Sequence, residues 1–317
     1  MERLEVTARD VERALDTVYE VAWRTPTVPF PGSDGKLLLK LESHQRLGAF
    51  KIRGTWNRLS GLTAEERRRG LATVSSGNHG FSVAWAARRL GLPCLVHVPE
   101  GANPRKVAAI QGEGAAVKSM SREVLERTHT EELYRSWPQV FIHPFAHPAT
   151  IAGQGTAGWE IAEDAAEVRT VLVPVGGGGL SAGIAMAVKD RLPRAKVYGV
   201  QAEGAASLPE ALRTGRPAGL SSPSTIADGI RIGLILENML PLLSRHLDGC
   251  LVVTDSEIRA AMRRLFLEAT IVAEPAGAAA FAAWARYRET LEPPVAVVVS
   301  GGNVDPALWR EITSSGA

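Results

Sequence analysis

Five apolar residues, Val171–Val175, run straight into four consecutive glycines, Gly176–Gly179, and a stretch with helical spacing begins at Leu180. An uninterrupted apolar strand is one covered on both faces, the condition of a parallel sheet flanked by helices. Glycines lack a Cβ, so successive backbone N–H groups can converge, and the helix behind adds the positive end of its dipole. Such a loop is an anion site suited to phosphate. A plain strand-to-helix turn needs only one or two residues in positive φ, and this run exceeds that requirement.

The same alternation runs along the chain. Leu37–Leu41, Ala72–Val74, Leu95–Val98, Val140–Ile142, Val197–Gln201 and Val295–Val299 read as strands. Arg53–Leu59, Gly80–Leu90, Pro104–Gln111, Leu180–Leu192, Asp255–Glu268 and Ala276–Tyr287 read as helices, with Thr254 or Asp255 capping one of them. Recurrent strand–helix–strand units imply an α/β fold, in which ligands sit in loops beyond the carboxyl ends of strands. With 317 residues the chain is long enough for two domains.

A phosphate loop does not name its ligand. Gly177-x-Gly179-x-x-Ala182, with Glu203 further on, also fits a permissive dinucleotide fingerprint, which keeps a Rossmann-type dinucleotide-binding enzyme as a remote alternative. Two other loops do not belong to that pattern. Ser75-Ser76-Gly77-Asn78-His79 lies between a short strand and a helix, and offers hydroxyls, an amide, an imidazole and backbone donors to an anionic substrate. Ser300-Gly-Gly-Asn303 follows the last apolar strand. Lysine occurs only seven times against 29 arginines, and Lys51 stands between Phe50 and Ile52, with Arg53 beyond. Apolar neighbours and a nearby cation both depress an ammonium pKa, as a Schiff-base lysine requires. From spacing alone, a surface lysine on an amphipathic helix remains the competing reading.

Composition narrows the classes. Thirty-six basic and 34 acidic side chains nearly cancel, leaving +2, which argues against a nucleic-acid binder. Cys94 and Cys250 cannot make a disulfide framework, so a reducing, cytoplasmic setting is expected. No apolar run is long enough to span a membrane, and the amino terminus has no signal-peptide core. His129, His143 and His147 lack metal-ligand spacing, so no metal site is expected there. Cys94 reads as core, and Glu65–Arg69 as a solvated helix face with i,i+4 pairs.

Taken in order, KLESHQRLGAFKIRG (40–54), SSGNHG (75–80), IAGQGT (151–156), VPVGGGGLSAG (173–183), TIADG (225–229), AEPAG (273–277) and SGGN (300–303) resemble the fold-type II pyridoxal-phosphate enzymes, in the threonine dehydratase and serine racemase branch. The resemblance implies a tryptophan synthase β-like fold of two α/β domains, each with a mostly parallel sheet flanked by helices. The smaller would be residues 48–146, inserted in a larger one built from 1–47 and 147–317. It implies that Lys51, beside Phe50, carries pyridoxal 5′-phosphate as a Schiff base and takes the substrate's α-proton. Gly176, Gly177, Gly178 and Gly179 would hold the phosphate, Asn78 the phenolic oxygen and Ser300 the pyridine nitrogen, with Gly229 and Glu274 lining the ring. Ser75, Ser76, Gly77, Asn78, His79 and Gln154 would bind the substrate. The implied reaction is loss of water and ammonia from L-threonine to give 2-oxobutyrate, and from L-serine to give pyruvate, by a homodimer or homotetramer.

The chain also departs from its relatives. Ser76 stands where dehydratases often carry alanine and serine racemases carry a serine base, so a racemase of serine or a related amino acid is the alternative. Where eukaryotic-type serine racemases have acidic cation ligands, this chain has the neutral Gln201 and Ser207, which with the Ala205 carbonyl would hold only a weak cation. Gly80-Phe81-Ser82 replaces a stretch where a glutamine is usual. About 14 residues follow Asn303, so no carboxy-terminal regulatory domain is expected and the catabolic type is implied.

Overall fold

The computed structural model describes residues 2–314. Strand β1 is Thr27–Pro29, β2 Leu37–Lys40, β3 Leu71–Val74, β4 Cys94–Pro99, β5 Ala116–Met120, β6 Val140–Phe141, β7 Thr170–Pro174, β8 Lys196–Ala202, β9 Gly249–Val253 and β10 Val295–Val298. They form a six-stranded sheet in the order β1-β2-β10-β7-β8-β9 and a four-stranded sheet in the order β5-β4-β3-β6. Every pairing is parallel except β1 with β2. The smaller sheet comes entirely from chain lying between β2 and β7 of the larger one. Parallel neighbours require crossovers, and helices supply them.

The predicted strands and helices are present, with no end shifted by more than two residues. One shift matters chemically: the helix expected from Gly80 begins at Asn78, which brings Asn78 and His79 into its first turn. The helices Ala8–Tyr19 and Pro148–Asp164 and the strands β5 and β9 lay outside the expectation. Pro148–Asp164 is buried along almost its whole length and so shows no polar stripe to betray it. It lies backbone to backbone against helix Gly179–Arg191. A side chain at Gly158 would come within 2.7 Å of the Ile184 backbone, and one at Gly183 within 2.7 Å of Gly155 N.

Beneath these helices lies a fully buried ionic quartet. Arg53 Nη2 meets Glu42 Oε1 at 2.7 Å and Arg53 Nη1 meets Glu160 Oε1 at 2.6 Å, while Lys40 Nζ meets Glu160 Oε2 at 2.6 Å. Two cations and two anions cancel, so no net charge is left in the core. The quartet ties helix Lys51–Ser60 to the end of β2 and to helix Pro148–Asp164.

The i,i+4 pairs expected within Glu65–Arg69 are not made. That helix is only six residues long, and Glu66 pairs with Arg58 of the preceding helix at 2.7 Å while Arg69 donates to the Pro138 carbonyl at 2.8 Å. Cys94 is half-buried against the core, and burial pushes its thiol up to about 12. Among the described residues no helix is long and apolar enough to cross a membrane.

Candidate active site

Lys51 is the first residue of its helix, and Phe50 caps it. Its Nζ donates to the Pro144 carbonyl at 3.0 Å and lies 5.0 Å from the centre of the Phe50 ring. Burial brings the amine down to about 8, against the opposing pull of Glu274. The loop before it is knitted to the loop after β10: Phe50 N–H donates to Ser300 O at 3.1 Å and Gly302 N–H to Gly48 O at 2.8 Å. Ser300 is therefore held beside the lysine, with its hydroxyl free of any protein partner among the described residues.

The four glycines follow β7. Only Gly178 adopts positive φ, at +93°, so a turn alone accounts for one of them. The others are glycine because protein fills the space behind them. A Cβ at Gly177 would strike the Phe145 ring, one at Gly179 would reach Phe145 O at 2.8 Å, and one at Gly176 would reach Ile232 Cγ1 at 3.1 Å and Ile230 Cα at 3.2 Å. Packed from behind, the loop offers its front. Among the described residues none of the N–H groups from Gly176 to Gly179 has a protein acceptor. Uncommitted N–H groups at a helix start are the donor set a phosphate dianion requires, so the loop fits pyridoxal phosphate. Gly229 sits in the segment packed on Gly176.

The second donor set lies at the end of β3. Ser75 N–H is used by His97 O at 3.0 Å and Gly77 N–H by Ser75 Oγ at 3.1 Å. The N–H groups of Ser76, Asn78 and His79 are unused by protein among the described residues. The His79 imidazole is turned inward: Nε2 donates to Ile142 O at 3.0 Å, and burial holds the ring neutral, at about 3. A substrate carboxylate would thus meet the backbone of His79, not its ring. Asn78 Nδ2 donates to Glu274 Oε1 at 2.7 Å, and Asn303 Nδ2 donates to Asn78 Oδ1 at 2.8 Å. Glu274 is buried, and burial first, with Asp228 second, pushes its carboxyl up to about 8.

Ser76, Glu274 and Asn303 open on one cleft of about 350 Å³ between the loops of the two sheets. Across its mouth Lys106 pairs with Asp228, and Asn103 Nδ2 donates to Asp305 Oδ2 at 3.2 Å. Gln154 stands apart from the rest. It is buried in the crossing of its helix with the lysine helix, a Cβ at Gly54 would lie 2.6 Å from its Nε2, and neither end of its carboxamide has a protein partner. The atoms named for a weak cation are partly spent: Gln201 Oε1 accepts from Leu208 N–H at 2.7 Å, while Ser207 Oγ is buried without a partner. His147 caps helix Pro148–Asp164 through its Nδ1, and His143 Nδ1 accepts from Ala146 N–H at 2.8 Å. Sequence reasoning gave no part to Asn303, although it stands in a motif already singled out.

The model of the pyridoxal-phosphate dependent enzyme family matches residues 18–301. The chain belongs to that family. Among its members, the L-threonine ammonia-lyase of Thermotoga maritima is 37% identical, over 98% of this chain and 79% of its own length. The solved structure of the T.th. threonine deaminase superposes with a TM-score of 0.87 at 38% identity, covering 94% of this chain and 99% of that one. Maize serine racemase superposes with a TM-score of 0.88 at 31% identity, covering 98% of each. Several biosynthetic L-threonine dehydratases of the family are longer, and the chain spans 58–59% of their length. The family's cofactor is pyridoxal phosphate, so the dinucleotide alternative falls.

Proposed function

We propose that this chain is a pyridoxal-phosphate-dependent ammonia-lyase that converts L-threonine to 2-oxobutyrate and ammonia, and L-serine to pyruvate and ammonia. The observation that carries the reading is Lys51: a half-buried amine brought down to about 8, its Nζ bonded to the Pro144 carbonyl next to the Phe145 that packs behind the four-glycine turn. An amine titrating there both forms a Schiff base and moves a proton near neutral pH. The likeness to an L-threonine ammonia-lyase over nearly the whole chain supports the substrate.

The cofactor, when bound, supplies the electron sink and a phosphate acid for the leaving hydroxyl. The chain's own residues do the rest. N–H groups of Gly176–Gly179 hold the phosphate, and those of the Ser75–His79 loop orient the substrate carboxylate. Once the substrate's amine has displaced it, Lys51 is free to take the α-proton at Nζ. The β-hydroxyl departs with that proton lost, so one water leaves, and hydrolysis of the released enamine gives the oxo acid and ammonia. Ser300 offers the pyridine nitrogen a neutral hydroxyl, which does not force that nitrogen to stay protonated. The reading also treats residues 48–146 as a small domain set into a larger one, supported by the two sheets, and the enzyme as a cytoplasmic homodimer or homotetramer.

Ser76 on the cleft wall and the likeness to maize serine racemase support the racemase reading. Both are tested by supplying the purified protein with pyridoxal phosphate and L-threonine or L-serine, then following oxo acid and the enantiomers of remaining substrate. Oxo acid from threonine, reduced at least about a thousandfold in Lys51→Ala, is the expected result. D-amino acid accumulating faster than oxo acid, and lost in Ser76→Ala, would replace the lyase with a racemase.

A further inference from the structure

Asn78 can serve a ring oxygen only if its carboxamide stands the right way round. A carboxamide is nearly symmetric in shape, so its orientation is set by what its two ends must bond. Glu274 cannot set it alone, because a carboxyl held partly protonated can either donate or accept. The Leu47 carbonyl can only accept. Asn303 Nδ2 donates to Leu47 O at 2.8 Å and with its second hydrogen to Asn78 Oδ1 at 2.8 Å. With Asn303 pinned by a backbone oxygen, the Asn78 carbonyl must face it. Asn78 Nδ2 then faces Glu274 with one hydrogen left over among the described residues.

We propose that Asn303 is the positioning residue that fixes the orientation of the Asn78 carboxamide, so that an N–H and not a carbonyl oxygen is presented to the cofactor. Asn303 follows β10 of the larger sheet, whereas Asn78 opens the helix after β3 of the smaller one, so the bond joins the two halves of the site. The space for it is built in. Gly48 has φ +71°, and a Cβ there would come within 2.9 Å of Asn303 Cγ. Although Asn303 is exposed to the cleft, its two donors are both spent inside it.

This inference rests on the role given to Asn78 above, and a double-mutant cycle on cofactor affinity separates the two. The dissociation constant of pyridoxal phosphate is measured by absorbance titration for the wild type, Asn78→Ala, Asn303→Ala and the double variant, together with the ratio of visible to near-ultraviolet absorbance of the loaded protein. Asn303→Ala should weaken binding on the order of tenfold and lower the visible fraction, and should add nothing once Asn78 is alanine. Asn303→Asp, equal in size but with acceptors where the donor stood, should weaken binding at least as much. If Asn303→Ala keeps its full effect in the Asn78→Ala background, Asn78 stands but its positioning by Asn303 is overturned. If Asn78→Ala itself leaves affinity and spectrum unchanged, the role of Asn78 falls and this inference with it. Melting temperatures near wild type keep a folding defect from passing for either result.

Discussion

The lowered pKa of Lys51 comes from its desolvation and not from a cation beside it. Its hydrogen-bond partner is a carbonyl, Pro144 O, which accepts from the amine but carries no charge to hold it protonated. Uptake of pyridoxal phosphate by the cofactor-free protein should therefore accelerate as the neutral amine appears, with a midpoint near the 8 that burial gives it. Rates of growth of the visible band across a pH series check this, and a midpoint near the ordinary lysine value would mean that the amine is not desolvated. At this scale the sequence was informative about type and not about pose. The apolar flanks of Lys51 foretold the direction of its shift, whereas the cation expected to assist, Arg53, is neutralised by Glu42 and Glu160. Nothing local foretold that the His79 ring turns away from the substrate loop, because that follows from the Ile142 carbonyl, 63 residues further on.

Between elements, the decisive contact is the crossing of the lysine helix with Pro148–Asp164. Their backbones touch through Gly54 and Gly153, where a Cβ at Gly153 would lie 2.7 Å from Gly54 Cα. Gly54→Ala pushes a methyl against the Thr150 carbonyl and the buried Gln154 carboxamide, and the helices must part to admit it. We expect a loss of about 1–3 kcal/mol of stability and weaker cofactor retention, read by denaturant titration and by absorbance after dialysis. An unchanged midpoint would mean that the crossing is not tight. The strand–glycine–helix unit at Val171–Gly179 was legible because its apolar run and its turn are adjacent in sequence. Helix Pro148–Asp164 was not, since a helix buried on every side has no amphipathic period to read. Helix Ala8–Tyr19 did carry a readable sign, the Thr7–Asp10 capping box.

Across the whole molecule, four imidazoles share one strain. Burial holds His79 at about 3 and His129 and His147 at about 4, and His143 well below its ordinary value. The unfolded chain binds protons on these groups that the folded chain refuses. The contribution of these imidazoles is complete above about 6.5 and falls as the pH drops toward the folded values, by about 1.4 kcal/mol per unit for each group fully titrating. The melting temperature should drop steeply between about pH 6 and 4. His129 lies among the rings of Phe141, His143 and Phe145, with Nδ1 unpartnered, so His129→Phe should make that limb shallower. A parallel curve would show that His129 is already charged in the folded protein. The sequence by itself determined the α/β class, the strand–glycine–helix turn and the order of the motifs, because each is written in a few neighbouring residues whose chemistry acts locally. The tertiary structure alone decided which of those residues meet. Asn78 between Glu274 and Asn303, Arg53 between Glu42 and Glu160, and the cleft itself exist only once two sheets far apart in the chain are packed together, and burial then sets the charge each group carries.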